Sequence, residues 1–159
     1  MRAFSLAALL AFLIDQASKI WVLYGLSMTV GDRWEIFPPF LVFQFGWNPG
    51  INFGLFGDSP QIMQYVLIGL AVVISIWLVF WARNTLRRRV TRFSAGLIVG
   101  GALANALDRL YYGAVADFLN MSCCGIDNPF IFNLADVAIF AGAFGVILFD
   151  DDRRSHKTT

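Results

Sequence analysis

The sequence predicts an all-α membrane protein, with four transmembrane helices and a small β-containing external loop segment in a single domain. Three observations carry this. Apolar residues make up 58% of the chain and charged residues only 14%, against roughly 45–50% and 25% in soluble proteins. A chain of 159 residues folded in water would have too much surface to cover with so few charges. Four stretches, Ser5–Leu26, Ile62–Trp81, Phe93–Leu110 and Ile131–Phe149, approach the ~20 mostly apolar residues that a helix needs to cross the hydrocarbon core.

The first stretch follows Met1-Arg2 and could pass for a signal peptide. Asp15-Gln16 interrupts it and no small-residue cleavage site follows, so it reads as a retained helix. The external loop 27–61 comes next. In it Phe37-Pro38-Pro39 breaks the chain, and Leu41–Phe45 has the β-branched and aromatic bias of a short strand. Gly46, Asn48-Pro49-Gly50 and Gly54 then mark turns. The second stretch carries no charge, and a basic connection at 82–92 leads to the third, which ends in Asp108-Arg109. A short external connection, 111–130, precedes the fourth, which contains Asp136.

Lys and Arg in short loops orient such a bundle. Nine of them (Arg2, Arg83, Arg87, Arg88, Arg89, Arg92, Arg153, Arg154 and Lys157) fall on one side, and only Arg33 on the other. Both termini are therefore expected in the cytoplasm, and Asp150-Asp151-Asp152 does not disturb this because acidic residues count for little in the rule.

Several functions drop out. A net charge of +1 leaves no electrostatic footprint for nucleic acid. Cys123 and Cys124 are adjacent, which suits neither a disulfide scaffold nor a cysteine zinc site and reads as an incidental loop pair. The single histidine, His156, lies in the polar tail, so neither a histidine triad nor a haem ligand is available. No metal or cofactor is expected. No internal repeat supports an inverted-repeat transporter.

Ionisable residues inside a span are costly and default to a functional reading. At a rise of about 1.5 Å per residue, Asp15, Lys19, Asn105, Asp108, Arg109, Asn133 and Asp136 all fall in the outer half of the bilayer, with Asp117 in the connection just outside. Asp15 and Lys19 are spaced i,i+4, and Asn105–Asp108 and Asn133–Asp136 are spaced i,i+3, so each pair shares a helix face. Interhelical glue is the bland alternative, but this many polar groups at one depth point to a cavity open to the outer side. Two carboxylates side by side cannot both ionise, so one can act as acid and the other as base on an amide. Ser18, Ser75 and Ser94 lack a Gly-flanked elbow. A proton-coupled carrier uses the same residue types, yet the inner half of every span is apolar. A non-catalytic scaffold would leave the clustered Asp unexplained.

Five motifs sharpen this reading. Asp15-Gln16-Ala-Ser-Lys19, Asn48-Pro-Gly50-Ile-Asn-Phe53, Gly100-Gly101-Ala-Leu-Ala-Asn105-Ala-Leu-Asp108-Arg109, Gly113-Ala-Val-Ala-Asp117-Phe118 and Phe132-Asn133-Leu-Ala135-Asp136 stand in an order that resembles bacterial lipoprotein signal peptidase, signal peptidase II, over nearly the whole chain. The resemblance implies an aspartyl endopeptidase of the bacterial inner membrane with its site near the outer face. It would remove signal peptides from prolipoproteins before the diacylglyceryl-modified cysteine, among membrane lipids, and be blocked by globomycin-type cyclic peptides. It also implies Asp117 and Asp136 as the catalytic pair, a choice that depth alone would not make over Asp108. Asp15, Lys19, Asn48, Asn105, Asp108, Arg109 and Asn133 match the family's supporting residues. Lys19 and Arg109 are expected to pair with Asp15 and Asp108. Ala104 stands where the family usually has Gly, and Asn52 where a small residue usually precedes Phe.

Overall fold

A computed structural model describes residues 1–38, 40–50, 60–122 and 128–150. Its helices are α1 (Arg2–Ile20), α2 (Pro60–Asn84), α3 (Arg89–Tyr112) and α4 (Leu134–Phe149). A π-helical turn, Trp21–Gly25, continues α1 directly after Lys19-Ile20. Three of these segments, Arg2–Gly25, Gln61–Asn84 and Arg89–Tyr112, are long and apolar enough to cross a membrane. α4 is apolar but has only 16 residues, about 24 Å at the helical rise. It starts three residues later than the apolar run because Ile131 and Phe132 are spent on other contacts.

α3 is the most enclosed of the three long helices, and glycines explain why. Gly96 and Gly100, four residues apart, lie against α1, where a Cβ would meet the Phe4 and Ala8 carbonyl oxygens. Gly101 faces α4 in the same way, its Cβ position 2.5 Å from the Ala135 carbonyl oxygen, and Gly142 of α4 answers against Ser94. Helices in lipid gain no hydrophobic drive from packing together, so close backbone approach through small residues supplies the attraction. The outward faces of the helices carry exposed Leu, Ile, Val, Phe and Trp, as lipid contact requires.

The β structure is larger than expected. β1 (Arg33–Phe37), β2 (Leu41–Asn48) and β3 (Val115–Asn120) form an antiparallel sheet in the order β1-β2-β3. The strand expected at Leu41–Phe45 runs three residues further. Gly46 marks no turn. It lies in β2 opposite Asp117 just after a register shift, and a Cβ there would strike Ile131 Cδ1 at 2.5 Å. β3 falls within the stretch 111–130 expected as a plain connection; its six residues are all buried, so the sequence there shows no alternation that would mark a strand. Below the sheet, Val22, Met28, Phe45, Ala116, Phe118 and Leu119 make a core. Leu119 pairs with Phe132 through hydrogen bonds of 2.8 and 2.9 Å, which returns the chain to β3 just before α4 begins. Gly54, Asn52, Cys123, Cys124, Asp151, Asp152, Arg153, Arg154, His156 and Lys157 lie outside the described residues.

Candidate active site

Asn133 stands where the returning chain becomes a helix. It is the N-cap of α4 rather than a residue on its face, with extended backbone (φ −131°, ψ 179°). Its Oδ1 accepts from the Asp136 N–H at 3.0 Å, and its own N–H donates to Asp136 Oδ2 at 3.3 Å. This is a capping box, so the i,i+3 spacing that suggested a shared helix face has a different cause. The free end of the same amide, Asn133 Nδ2, donates to Asp117 Oδ1 at 2.6 Å. One residue therefore contacts both carboxylates, Asp117 through its side chain and Asp136 through its backbone N–H.

Each carboxylate has a second amide partner. Asn48, at the end of β2, donates to Asp117 Oδ2 at 2.9 Å and is itself braced by the Gly50 N–H at 2.9 Å. Asn105 of α3 donates to Asp136 Oδ1 at 2.9 Å. Asp117 is 1% exposed, whereas Asp136 is half-buried and borders an apolar groove along α4. Burial pushes the Asp117 carboxyl up to about 6, and the nearby Asp136 charge adds to this while the Asn48 and Asn133 amides oppose it. A carboxyl so placed keeps its proton to a higher pH than an exposed one, up to about 6.

Behind the pair lies a charged layer. Lys19 Nζ contacts Asp15 Oδ2 and Asp108 Oδ2 at 2.7 Å each and donates to Asn105 Oδ1 at 3.0 Å. Asp15 Oδ1 in turn accepts from the Ala135 N–H at 2.7 Å, so α1 caps the N-terminus of α4 with a carboxylate, where the helix dipole favours negative charge. Asp108 Oδ2 accepts from the Ala116 N–H of β3 at 3.3 Å. The expected Asp15–Lys19 pair is present. The expected Arg109–Asp108 pair is not, because Lys19 already occupies Asp108.

Among the described residues Arg109 donates to the Asn105 carbonyl, at 3.3 Å, and its buried Nε has no partner there. Asp136, Asp117 and Asp108 all lie near enough to act on its charge. Two residues were missed. Gln16 donates to Asp108 Oδ1 at 2.9 Å and to the Ala104 carbonyl at 3.3 Å. Gln64 donates to the Arg109 carbonyl at 2.6 Å. A polar residue next to Asp15 inside a span was the available signal for Gln16; nothing comparable marked Gln64 at the mouth of α2.

The profile of the family described as signal peptidase (SPase) II matches residues 7–150. The chain belongs to the signal peptidase II family. A lipoprotein signal peptidase of Methylorubrum extorquens is 41% identical over 90% of this chain and 82% of its own length. Another, from Methylobacterium radiotolerans, is 40% identical over 92% and 84%. A solved bacterial membrane enzyme superposes with a TM-score of 0.82 at 26% identity, covering 100% of this chain and 94% of that one. This signal peptidase II family member is accordingly a multi-pass bacterial membrane protein of the same fold.

Proposed function

We propose that this chain is an intramembrane aspartyl endopeptidase that removes the signal peptide from diacylglyceryl-modified prolipoproteins, cutting before the lipidated cysteine. The observation that carries the reading is that Asn133 contacts both carboxylates, Asp117 Oδ1 through its side-chain Nδ2 and Asp136 Oδ2 through its backbone N–H. Family membership and the lipoprotein signal peptidases among its relatives supply the substrate class. The enzyme sits in the inner membrane with both termini cytoplasmic and the carboxylates near the outer face, by the asymmetry of its basic residues.

In this mechanism Asp117, buried with its proton, donates to the scissile carbonyl oxygen. Asp136, half-buried at the groove, takes a proton from the attacking water. The water oxygen bonds to the carbonyl carbon to give a gem-diol; the C–N bond then breaks as the proton on Asp136 passes to the departing cysteine nitrogen and a hydroxyl proton of the gem-diol returns to Asp117, which restores both carboxyl groups. The products are a signal-peptide carboxylate and a free lipidated N-terminus. Asn48, Asn105 and Asn133 orient the pair, and Lys19 with Asp15 and Asp108 fixes the helices that carry it. Globomycin-type cyclic peptides would compete for the same cavity.

Asn copies the shape of Asp but cannot cycle a proton. Asp117→Asn and Asp136→Asn are each expected to lower cleavage of a lipidated prolipoprotein by at least about 10²–10⁴ while the purified protein keeps its helical content. Near-normal turnover in either variant would remove that residue from the pair and make Asp108 the next candidate.

A further inference from the structure

A groove of about 430 Å³ runs along α4, lined by Phe132, Asp136, Val137, Phe140, Ala141 and Phe144. Five of these fall at positions 136, 137, 140, 141 and 144, which share one helical face. From Asp136 to Phe144 the groove extends about 12 Å along the helix at 1.5 Å per residue. Its one ionisable wall residue is Asp136, at the end nearest Asn133; the rest is apolar. The opposite face of α4 is closed, because Gly142 packs against Ser94 and Ile98 of α3.

We infer that this groove receives one acyl chain of the substrate's diacylglyceryl-cysteine. The inference rests on the function proposed above and names where that substrate's lipid lies. Cleavage before the lipidated cysteine puts the acyl-bearing side chain next to the scissile bond, and so next to Asp136. The groove starts at that carboxylate and, on the proposed topology, descends toward the membrane centre, the direction an acyl chain must take. A volume of about 430 Å³ spread over the groove's length leaves a cross-section well short of the other apolar part of the substrate, a helix about 10–12 Å across with its side chains. An acyl chain moving from lipid into an apolar groove gains little transfer energy, because lipid tails are equally apolar. The gain is in orientation: a seated chain holds the neighbouring peptide bond against the carboxylates. The groove therefore selects by shape.

The test uses the full-length enzyme in detergent–lipid micelles and two synthetic prolipopeptides, one with dipalmitoylglyceryl-cysteine and one with dibutyrylglyceryl-cysteine. Ala141 is exposed, so a larger side chain there fills the groove without entering the helix packing. Ala141→Phe is expected to lower the dipalmitoyl-to-dibutyryl ratio of kcat/KM roughly ten- to hundredfold, the range over which apolar pockets discriminate. Val73→Phe, on an exposed face of α2, should leave the ratio unchanged. An unchanged ratio in Ala141→Phe, or equal losses on both substrates, overturns the groove assignment alone. Failure of the unsubstituted enzyme to cut either prolipopeptide overturns the proposed function and the groove with it. Should Ala141→Phe not fold, an uncleavable dipalmitoyl analogue with a photoreactive group in one chain, bound to the unsubstituted enzyme, replaces it. Crosslinks within 137–144 support the assignment, and crosslinks confined to other helices, or to 137–144 only from a photoreactive signal peptide, overturn it.

Discussion

At the scale of single residues, the site is a balance between burial and amide hydrogen bonds. Asp117 is raised to about 6 because burial outweighs what Asn48 and Asn133 return. A carboxyl with a raised folded-state pKa favours the folded state when protonated. That advantage is full below the unfolded value of 3.8, is lost as pH rises from there to about 6, and is absent above. In the proposed mechanism the same shift predicts that kcat/KM falls as pH rises through about 6, where Asp117 loses the proton that this mechanism has it donate. Because the Asn48 amide stabilises the ionised form, Asn48→Ala should move that alkaline limb to higher pH. A pH–rate profile checks this, and a limb moving downward would reverse the assigned role of Asn48. Lys19 answers a different question. It is 2% exposed and contacts two buried carboxylates, so Lys19→Met should cost about 3–5 kcal/mol of stability, as breaking a buried pair does. Thermal unfolding in detergent measures it. Residual cleavage is expected in the folded fraction, and total loss of turnover in folded protein would move Lys19 into the chemistry.

At the scale of elements, function depends on helices arriving at fixed distances. Lys19 on α1 reaches Asp108 and Asn105 on α3 because Gly96 and Gly100 let the backbones touch. Gly100→Val should force α1 from α3, cost about 1–3 kcal/mol as overpacking does, and reduce cleavage although position 100 touches no reacting group. Gly69→Val is the control, since nothing lies within 4 Å of a Cβ there. Equal stability and turnover in the two variants would show that the close approach is not required. The sheet acts similarly: β3 carries Asp117, β2 supplies Asn48, and the Leu119–Phe132 bridge delivers Asn133.

At the scale of the whole molecule, the basic residues outside the helices carry the proposed orientation. Five of the nine basic residues on the proposed cytoplasmic side fall between 83 and 92. In a background with Cys123 and Cys124 replaced by Ser, a cysteine at Val30 should react with a membrane-impermeant thiol reagent on spheroplasts, and one at Asn84 only after lysis. The reverse pattern would invert the topology.

What the sequence by itself determined is the membrane class, the four apolar segments and the set of polar residues at one depth. These depend on composition and on periods of a few residues, which local reading captures. The motifs also carried the resemblance by which Asp117 and Asp136 were singled out. Tertiary structure decided which of these polar groups meet. Nothing local shows that Lys19, rather than Arg109, would pair with Asp108; that follows from how closely α1 and α3 approach. Nor could spacing show that Asn133 is an N-cap reaching to a strand, because β3 gives no alternating pattern and its pairing partners lie some 70 residues away in β2. The apolar groove beside Asp136 exists only where α4 turns its glycine face to α3 and leaves its phenylalanine face outward. Local chemistry selected the residues, and long-range packing, which sequence periodicity does not encode, arranged them.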